Sequence, residues 1–341
     1  MIEGNSIKIL SAKQISIQKP LSEEWMDSPE LYTDEFVRAV DPDFKQFISA
    51  GDARRMGKLL KRALTTSLSA LQESGVTDPD AIITGTGFGS VENTELFLDA
   101  MVREGEQMLK PTQFMQSTHN TASSLIGINT HCHGYNSTYS QKGLSFDSAL
   151  YDAWLQFRLG KIRTALVGSH DEMSPVFSSF MRKAGHVKES EICSEANVSV
   201  VLSSQADAPA SCTLEGVKIL NCPDRQALKA AIDDILSDAP DIDAVMTGMS
   251  GNRENDSWYS FISDFMPNIP LLQYKHLFGV NFSSSAIGFY AAVSCMNKGF
   301  IPGILAIDGK KVVCSKGILL VNIVENRHFS ISLIRSLCGR L

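Results

Sequence analysis

The chain has 341 residues, of which 43% are hydrophobic and 20% charged, a composition typical of a folded globular protein. Its net charge of −7 argues against a nucleic-acid partner bound through charge, although an acidic protein partner would need only a local basic patch. The N-terminus lacks a signal pattern and the apolar stretch at residues 283–296 is too short to span a bilayer, so we expect a cytoplasmic protein without a membrane span.

Hydrophobic periodicity predicts alternating strands and helices in the first part of the chain. The helix at residues 52–74 is the strongest, because apolar side chains recur along it every three or four residues. Ser145 is a good N-cap for a helix that Gly160 ends. The predicted strands are residues 7–10, 80–85, 136–141, 164–168 and 198–202, and the predicted helices are residues 52–74, 92–103, 118–131 and 145–159.

The remaining residues repeat this order more compactly. The predicted strands are residues 212–220, 244–248, 270–273, 311–314 and 317–323, and the predicted helices are residues 224–236, 258–265 and 281–297. The order of strand, glycine-containing turn and helix in both halves predicts an α/β fold with parallel strand pairs. No low-complexity linker divides the halves, so we expect domains at residues 1–209 and 210–341 that pack as one unit.

Two short motifs bear on cofactors. The glycines of residues 85–89 follow a predicted strand, but the third comes one place early for a dinucleotide fingerprint, and no acidic residue closes the next strand. The His-Cys-His run at residues 131–133 has no second ligand cluster, and the seven cysteines form no CxxC pair. We therefore expect no metal, no cofactor and free buried thiols.

Four segments resemble those of β-ketoacyl synthases, the condensing enzymes of fatty acid and polyketide assembly. They are the Arg-Arg-containing helix at residues 52–61, the Thr-Gly-Thr-Gly-Phe-Gly run at 84–89, the strand at 166–172 and the Ser-Glu-Ala-Asn segment with its strand at 194–202. The resemblance implies a thiolase-like fold, in which two similar halves form a five-layered α-β-α-β-α stack. It also implies a dimer that forms through the strand before the nucleophile.

The catalytic positions that the resemblance implies carry the wrong residues. Gly143 stands where the family keeps its cysteine, Gly248 stands near its first histidine and Val280 stands at its second, with Lys275 matching a family lysine. Residues 315–317 stand in place of the family's Gly-Phe-Gly-Gly loop. Because a thioester condensation needs a thiolate and donors for the oxyanion, we expect no catalytic residues here and no activity of the chain alone.

The resemblance also implies an acyl pocket and a dimer interface. The pocket or tunnel candidates are Phe114, His119, Phe146 and Lys275, and the interface candidates are His133, Tyr135, Thr138 and Tyr139. We expect Phe114, His133 and Phe146 to lie near the interface and to limit the length of an acyl chain held by the partner.

The family behaviour that fits these losses best is that of a chain-length factor, as in bacterial polyene and polyketide clusters. The expected partners are an active synthase in a heterodimer, or a second copy in a homodimer, together with an acyl carrier protein. Whether the chain is an enzyme stays open, because a synthase or acyltransferase could use Ser145 or Ser148 with His119, His170 or His276. A third alternative is a homodimer that binds acyl carrier protein or acyl-CoA without chemistry.

Overall fold

The computed structural model describes residues 6–337, which alternate between strands and helices as the periodicity predicts. The strands are β1 (Ile7–Ile15), β2 (Phe36–Val37), β3 (Ala81–Gly85), β4 (Tyr135–Tyr139), β5 (Thr164–Asp171), β6 (Cys193–Ser194), β7 (Ala196–Ser203), β8 (Cys212–Asn221), β9 (Ala244–Thr247), β10 (Leu271–Gln273), β11 (Phe300–Ile301), β12 (Val312–Val313), β13 (Gly317–Val324) and β14 (His328–Ser336). The helices are α1 (Ala50–Ala53), α2 (Lys58–Ser74), α3 (Val91–Glu104), α4 (Pro111–Ser117), α5 (Thr121–Asn129), α6 (Ser145–Arg158), α7 (Pro175–Lys183), α8 (Arg225–Ile235), α9 (Arg253–Phe265), α10 (Lys275–Phe278) and α11 (Ser284–Lys298).

The two halves of the chain contribute strands to one continuous sheet, and each half arranges its strands in the same order. The strand order β4-β3-β5-β7-β1 in the first half is repeated as β10-β9-β13-β14-β8 in the second. The directions also repeat, since β3 pairs in parallel with β4 and β5, as β9 does with β10 and β13, and the remaining pairs within each half are antiparallel. The halves join where β1 pairs with β8 over Ile7–Ile9. This repetition confirms the prediction of two similar halves.

Helices cover both faces of the strands in five layers. Helices α2 and α5 pack against the first-half strands from outside, and α8 and α9 pack against the second-half strands. Helices α6 and α11 contact each other between the halves. The largest hydrophobic cluster lies around these two central helices, where Phe146 and Phe289 meet edge to face with ring centroids 5.5 Å apart.

Helix α11 explains the apolar, small-residue stretch near the end of the sequence. Its side chains are buried from Ser284 to Met296, because it is surrounded by both halves. Gly288 permits the close packing, since a Cβ there would lie 2.7 Å from the ring of Tyr274. The stretch is therefore a core helix, and within residues 6–337 no helix is long and apolar enough to cross a membrane.

Several local predictions were wrong. The helix expected at residues 52–74 is interrupted before Lys58, because Gly57 has an extended backbone, with a ψ of 170°, and forms the N-cap of α2. The N-cap of α6 is Leu144 rather than Ser145. Strand β14 was missed, although Phe329, Ile331 and Leu333 alternate with polar residues as a strand requires.

Candidate functional site

The connection from β4 to α6 is a strained turn of the kind that presents nucleophiles at strand-to-helix junctions. Lys142 has a φ of 52°, a left-handed conformation that non-glycine residues rarely adopt. The Ser145 hydroxyl accepts from the backbone N–H of Gln141 at 2.8 Å and donates to the carbonyl of Lys142 at 2.6 Å. The strained residue is thus Lys142, directly before Gly143, and neither residue carries a thiol.

A cavity of about 420 Å³ opens at this turn and is lined by both halves of the chain. Gly143, Lys275 and Val280 all line it, so the fold brings together three positions that lie far apart in the sequence. Among its described lining residues there is no cysteine, and His186 is the one histidine. The cavity therefore joins two of the catalytic positions that the resemblance implies, Gly143 and Val280, and its described lining contains no cysteine.

Gly248 lies behind the cavity, just past the end of β9, and the space beside it is filled. A Cβ atom on Gly248 would lie 2.9 Å from the Tyr259 hydroxyl, 3.2 Å from Lys275 Nζ and 3.5 Å from Asn322 Oδ1. Tyr259 is fully buried, and burial raises the pKa of its phenol, so the hydroxyl is neutral at physiological pH. A histidine at position 248 would have no room in this arrangement.

Val280 lies in the loop between α10 and α11, where the first half holds it by backbone hydrogen bonds. Its N–H donates to the carbonyl of Ile192 at 2.7 Å, and its carbonyl accepts from the N–H of Ser194 at 3.1 Å. The preceding Gly279 has a φ of 72°, and a Cβ there would lie 2.6 Å from Ser194 Oγ. The backbone of this loop is therefore held in place, although position 280 carries the isopropyl side chain of valine.

Asn322 is a site residue that the sequence analysis missed. It donates to the carbonyl of Gly143 at 3.1 Å and to Asp147 Oδ2 at 3.0 Å, while Ser330 donates to Asp147 Oδ1 at 2.6 Å. Burial raises the pKa of Asp147 to about 6, although these hydrogen bonds lower it. Asn322 comes from β13, so it ties the start of α6 to the second half of the chain.

The β13–β14 hairpin lines the cavity through Val324 and Glu325, whereas residues 315–317, which stand where the resemblance places the family's glycine-rich loop, do not line it. Residues 315–317 lie at the opposite end of β13, where their N–H groups donate to the carboxylate of Asp243. In the hairpin, Glu325 forms an ion pair with Lys142 at 2.5 Å and lies 3.7 Å from His186 Nδ1. The hydrogen bond from Lys142 lowers the pKa of Glu325. The length of β13, Gly317–Val324, separates residues 315–317 from the hairpin.

The predicted tunnel residues do not form one group. Phe114 is 56% exposed and contacts Phe97 with ring centroids 5.5 Å apart, and His119 is exposed nearby. Phe146 is 1% exposed within the core of its own chain, so the expectation that it faces a partner was wrong. The reason is that α6 is a central helix, and its second residue points toward α11. Lys275 alone of the four candidates lines the cavity.

The predicted interface residues lie at an open sheet edge. Strand β4 is the outermost strand of the first half and pairs with β3 on one side. Tyr135 and His133 are exposed, whereas the Thr138 hydroxyl lies 2.7 Å from Ser123 Oγ. Tyr139 is half-buried, and burial together with the Asp152 carboxylate raises its pKa to about 12.

The glycine-containing loop after β3 is organised by a carboxylate and not by a phosphate. Asp171 Oδ1 accepts from the N–H of Gly87 at 2.8 Å, from the N–H of Phe88 at 3.2 Å and from the Thr86 hydroxyl at 2.9 Å. A bound phosphate would compete with this buried carboxylate for the same donors and would be repelled by it. Around residues 131–133, the Cys132 thiol donates to the carbonyl of Pro79 at 3.0 Å, and no group of three potential metal ligands occurs within residues 6–337.

Within residues 6–337, neither Ser145 nor Ser148 is hydrogen-bonded to a histidine. The Ser148 hydroxyl bonds to the carbonyl of Leu144, and Ser145 is engaged in the turn described above. His170 is buried within β5, where burial lowers its pKa to about 3, and His276 Nε2 bonds to the carbonyl of Ile304 at 3.0 Å. Neither histidine contacts a serine that could act as a nucleophile.

The comparison with known families agrees with this fold. Residues 23–237 match the family model of the β-ketoacyl synthase N-terminal domain. The chain belongs to the β-ketoacyl synthase family. No curated protein matches its sequence. Among solved structures it is similar to the ishigamide ketosynthase/chain length factor, with a TM-score of 0.80, 16% identity, and 97% of this chain and 99% of that chain covered.

Two further synthase structures are similar over the whole chain. One is a type II polyketide synthase acyl carrier protein in complex with its ketosynthase, with a TM-score of 0.78, 14% identity, and 98% of this chain and 100% of that chain covered. The other is a β-ketoacyl synthase from Burkholderia phymatum STM815, with a TM-score of 0.77, 14% identity and the same coverages. These similarities confirm the thiolase-like fold.

Proposed function

We propose that the chain is a non-condensing member of the β-ketoacyl synthase family that acts as a chain-length-factor-type partner of an active synthase in polyketide or polyene assembly. The observation that carries this proposal is the cavity at the start of α6, where Lys142 and Gly143 occupy the strained turn and no described lining residue is a cysteine. Condensation through a thioester requires a nucleophile that can be acylated. A subunit with this cavity depends on a partner for that step.

The filled space around Gly248 supports the same conclusion. Tyr259 and Lys275 occupy the volume that a side chain at position 248 would need. A cysteine restored at position 143 alone would therefore still lack the family's histidines. The engaged hydroxyls of Ser145 and Ser148 argue against the alternative of an acyltransferase with surrogate residues. The role that remains for a chain with the synthase fold is to assemble with other subunits.

The open edge of β4 supports assembly through that strand. An unpaired edge of a large sheet is a surface that proteins usually cover. Helix α5, which contacts β4, exposes Ile128. Further exposed apolar side chains lie on α3 and α4, and they include Leu96, Val102, Phe114 and Met115. We expect an obligate interface here, which in general buries more than about 2,000 Å² in total. The partner is an active synthase in the cell, or a second copy when the chain is expressed alone.

A basic surface supports an acyl carrier protein as a further partner. Arg54, Arg55 and Lys110 line an open surface cleft, with Lys58 and Lys61 on the next helical turns of α2. Within residues 6–337 these five side chains form no ion pair with an acidic residue, in a chain of net charge −7. Such a patch would attract an acidic carrier protein by complementary charge.

The two halves define the proposed domains, residues 1–209 and 210–341, since β8 begins the second repeat at Cys212. To test the function, the chain is co-expressed with a cysteine-containing synthase from its own gene neighbourhood, and the pair is purified through a tag on this chain. We expect a stable heterodimer that condenses malonyl groups on carrier protein. Failure of the synthase to co-purify, with a monomeric chain by light scattering, would overturn the proposal.

A further inference from the structure

Two polar groups in the cavity at the strained turn lack partners. The Lys275 ammonium lines the cavity and forms no hydrogen bond or ion pair within residues 6–337. In the same cavity, Asn281 Oδ1 is buried without a hydrogen bond, whereas the amide nitrogen of Asn281 donates to Ser194 Oγ at 2.7 Å. A buried polar atom without a partner calls for an explanation, and a bound ligand or water is the usual one.

The surroundings of Lys275 favour its neutral amine. Burial lowers the pKa of the ammonium, and the more distant carboxylates of Glu191 and Asp256 only partly oppose this effect. One wall of the cavity is apolar, and it is built from Phe88, Met173, Met181, Val187 and Phe282. A lysine whose amine is partly desolvated beside an apolar wall has the properties of a nucleophile.

The acidic and basic side chains that line the cavity are equal in number, so they do not select an anionic ligand. Glu191, Glu254 and Glu325 line it, so a carboxylate ligand would meet three acidic side chains. Lys142, Lys188 and Lys275 also line it, and Lys142 is paired with Glu325, whereas Lys188 keeps its charge because its Nζ bonds only to the uncharged carbonyl of Gly185. The cavity of about 420 Å³ lies within the range of small-molecule sites.

We propose that this cavity binds a neutral aldehyde or ketone on a short apolar chain, and that Lys275 forms a reversible imine with its carbonyl carbon. The lone pair of Nζ attacks the carbonyl carbon to give a carbinolamine, for whose hydroxyl Asn281 Oδ1 is an available acceptor. The carbon–oxygen bond then breaks, and the oxygen leaves as water with the two amine hydrogens. No oxidant or reductant is required, and hydrolysis returns the free lysine. This chemistry needs no thiol, so it does not rest on the proposed function.

Reductive trapping of the chain alone tests the proposal. The folded protein is incubated with a limiting amount of hexanal and sodium cyanoborohydride, and alkylated lysines are located by peptide mapping. We expect Lys275 to be alkylated at least about tenfold faster than the exposed Lys188 of the same cavity, because an activated amine reacts ahead of a solvated one. Equal rates at the two lysines would overturn the proposal.

Variants separate imine formation from simple ligand binding. Lys275→Arg keeps a cation but cannot form an imine, so the fast labelling should be lost while the circular dichroism spectrum is kept. Lys188→Met is the matched control and should leave the labelling of Lys275 unchanged. Octanoate, which carries a carboxylate, should not protect Lys275 from hexanal, whereas 2-octanone should. Protection by octanoate alone would assign an anion site instead and contradict the imine.

Discussion

A Cβ atom placed on Gly248 would lie 2.9 Å from the hydroxyl oxygen of Tyr259, closer than real Cβ atoms approach such a group. The tyrosine is fully buried between α9 and the second-half strands, so its ring has little freedom to move away. The position near which the resemblance places a family histidine is therefore closed by a neighbouring side chain. If that assignment holds, the packing of this chain excludes the histidine.

Substitutions at Gly248 test this closure. Gly248→Ala and Gly248→His should each lower the free energy of unfolding, with the alanine variant losing about 1–3 kcal/mol, the usual cost of overpacking a core. Adding Tyr259→Phe removes the hydroxyl and should recover part of the loss in the alanine variant. Urea unfolding measures all three, and Gly143→Ala is the control because its Cβ would meet only Val324 at 3.3 Å. A Gly248→His variant as stable as the wild type would refute the closure.

The buried ion pair of Arg62 and Glu195 joins α2 to the segment before β7, so removing it should destabilise the fold. The two side chains are each 1% exposed and lie 2.8 Å apart. Arg62→Met removes the buried cation and leaves Glu195 only the partly exposed Arg38 at 3.8 Å, so unfolding should become easier by about 3–5 kcal/mol. The exposed pair of Lys229 and Asp233 is the matched control, and Lys229→Met should change stability by less than about 0.5 kcal/mol. Equal effects of the two substitutions would contradict the structural role.

Asp147 predicts a pH dependence of stability. Burial raises its folded-state pKa to about 6 from an ordinary value of 3.8, so the folded chain holds a proton that the unfolded chain releases. Between these values its contribution to the free energy of unfolding must therefore fall as the pH rises. Asp147→Asn should reduce the difference in stability between pH 5 and pH 7, as measured by urea unfolding. An unchanged difference would show that other groups, such as Asp171 and Glu172, whose pKa values are also raised, cause it.

Phe114 replaces Phe146 as the side chain expected to limit the acyl chain in a partner's tunnel. It is 56% exposed on α4, which packs against α3 and α5, whereas Phe146 is buried in the core. In the heterodimer, Phe114→Ala should lengthen the products by removing bulk from the interface. Leu159→Ala, an exposed residue at the end of α6, should leave the product length unchanged. Products of unchanged length from the Phe114 variant would remove the gating role, as judged by mass spectrometry.

Much of the fold was predictable because it depends on local periodicity. The amphipathic α2, the buried strands β3 and β5 and the apolar α11 each carry their pattern within one segment. The site was less predictable, because its contacts join distant segments. Asn322 reaches Gly143 across 179 residues, and no local signal marks it. The strained φ of Lys142 likewise comes from the turn that the folded halves impose, so no local pattern in the sequence marks it.

The central claim is that this chain has no residue able to carry an acyl group through condensation, and intact-mass analysis tests it most directly. The purified chain, a Gly143→Cys variant and a Lys142→Cys variant are each incubated with acyl-CoA and malonyl-loaded carrier protein. We expect no acyl adduct on a serine or cysteine of the wild-type chain and no condensation by any of the three, while the variant thiols are alkylated by iodoacetamide. A covalent acyl adduct on a serine or cysteine of the wild-type chain, followed by release of a β-ketoacyl product, would contradict the account.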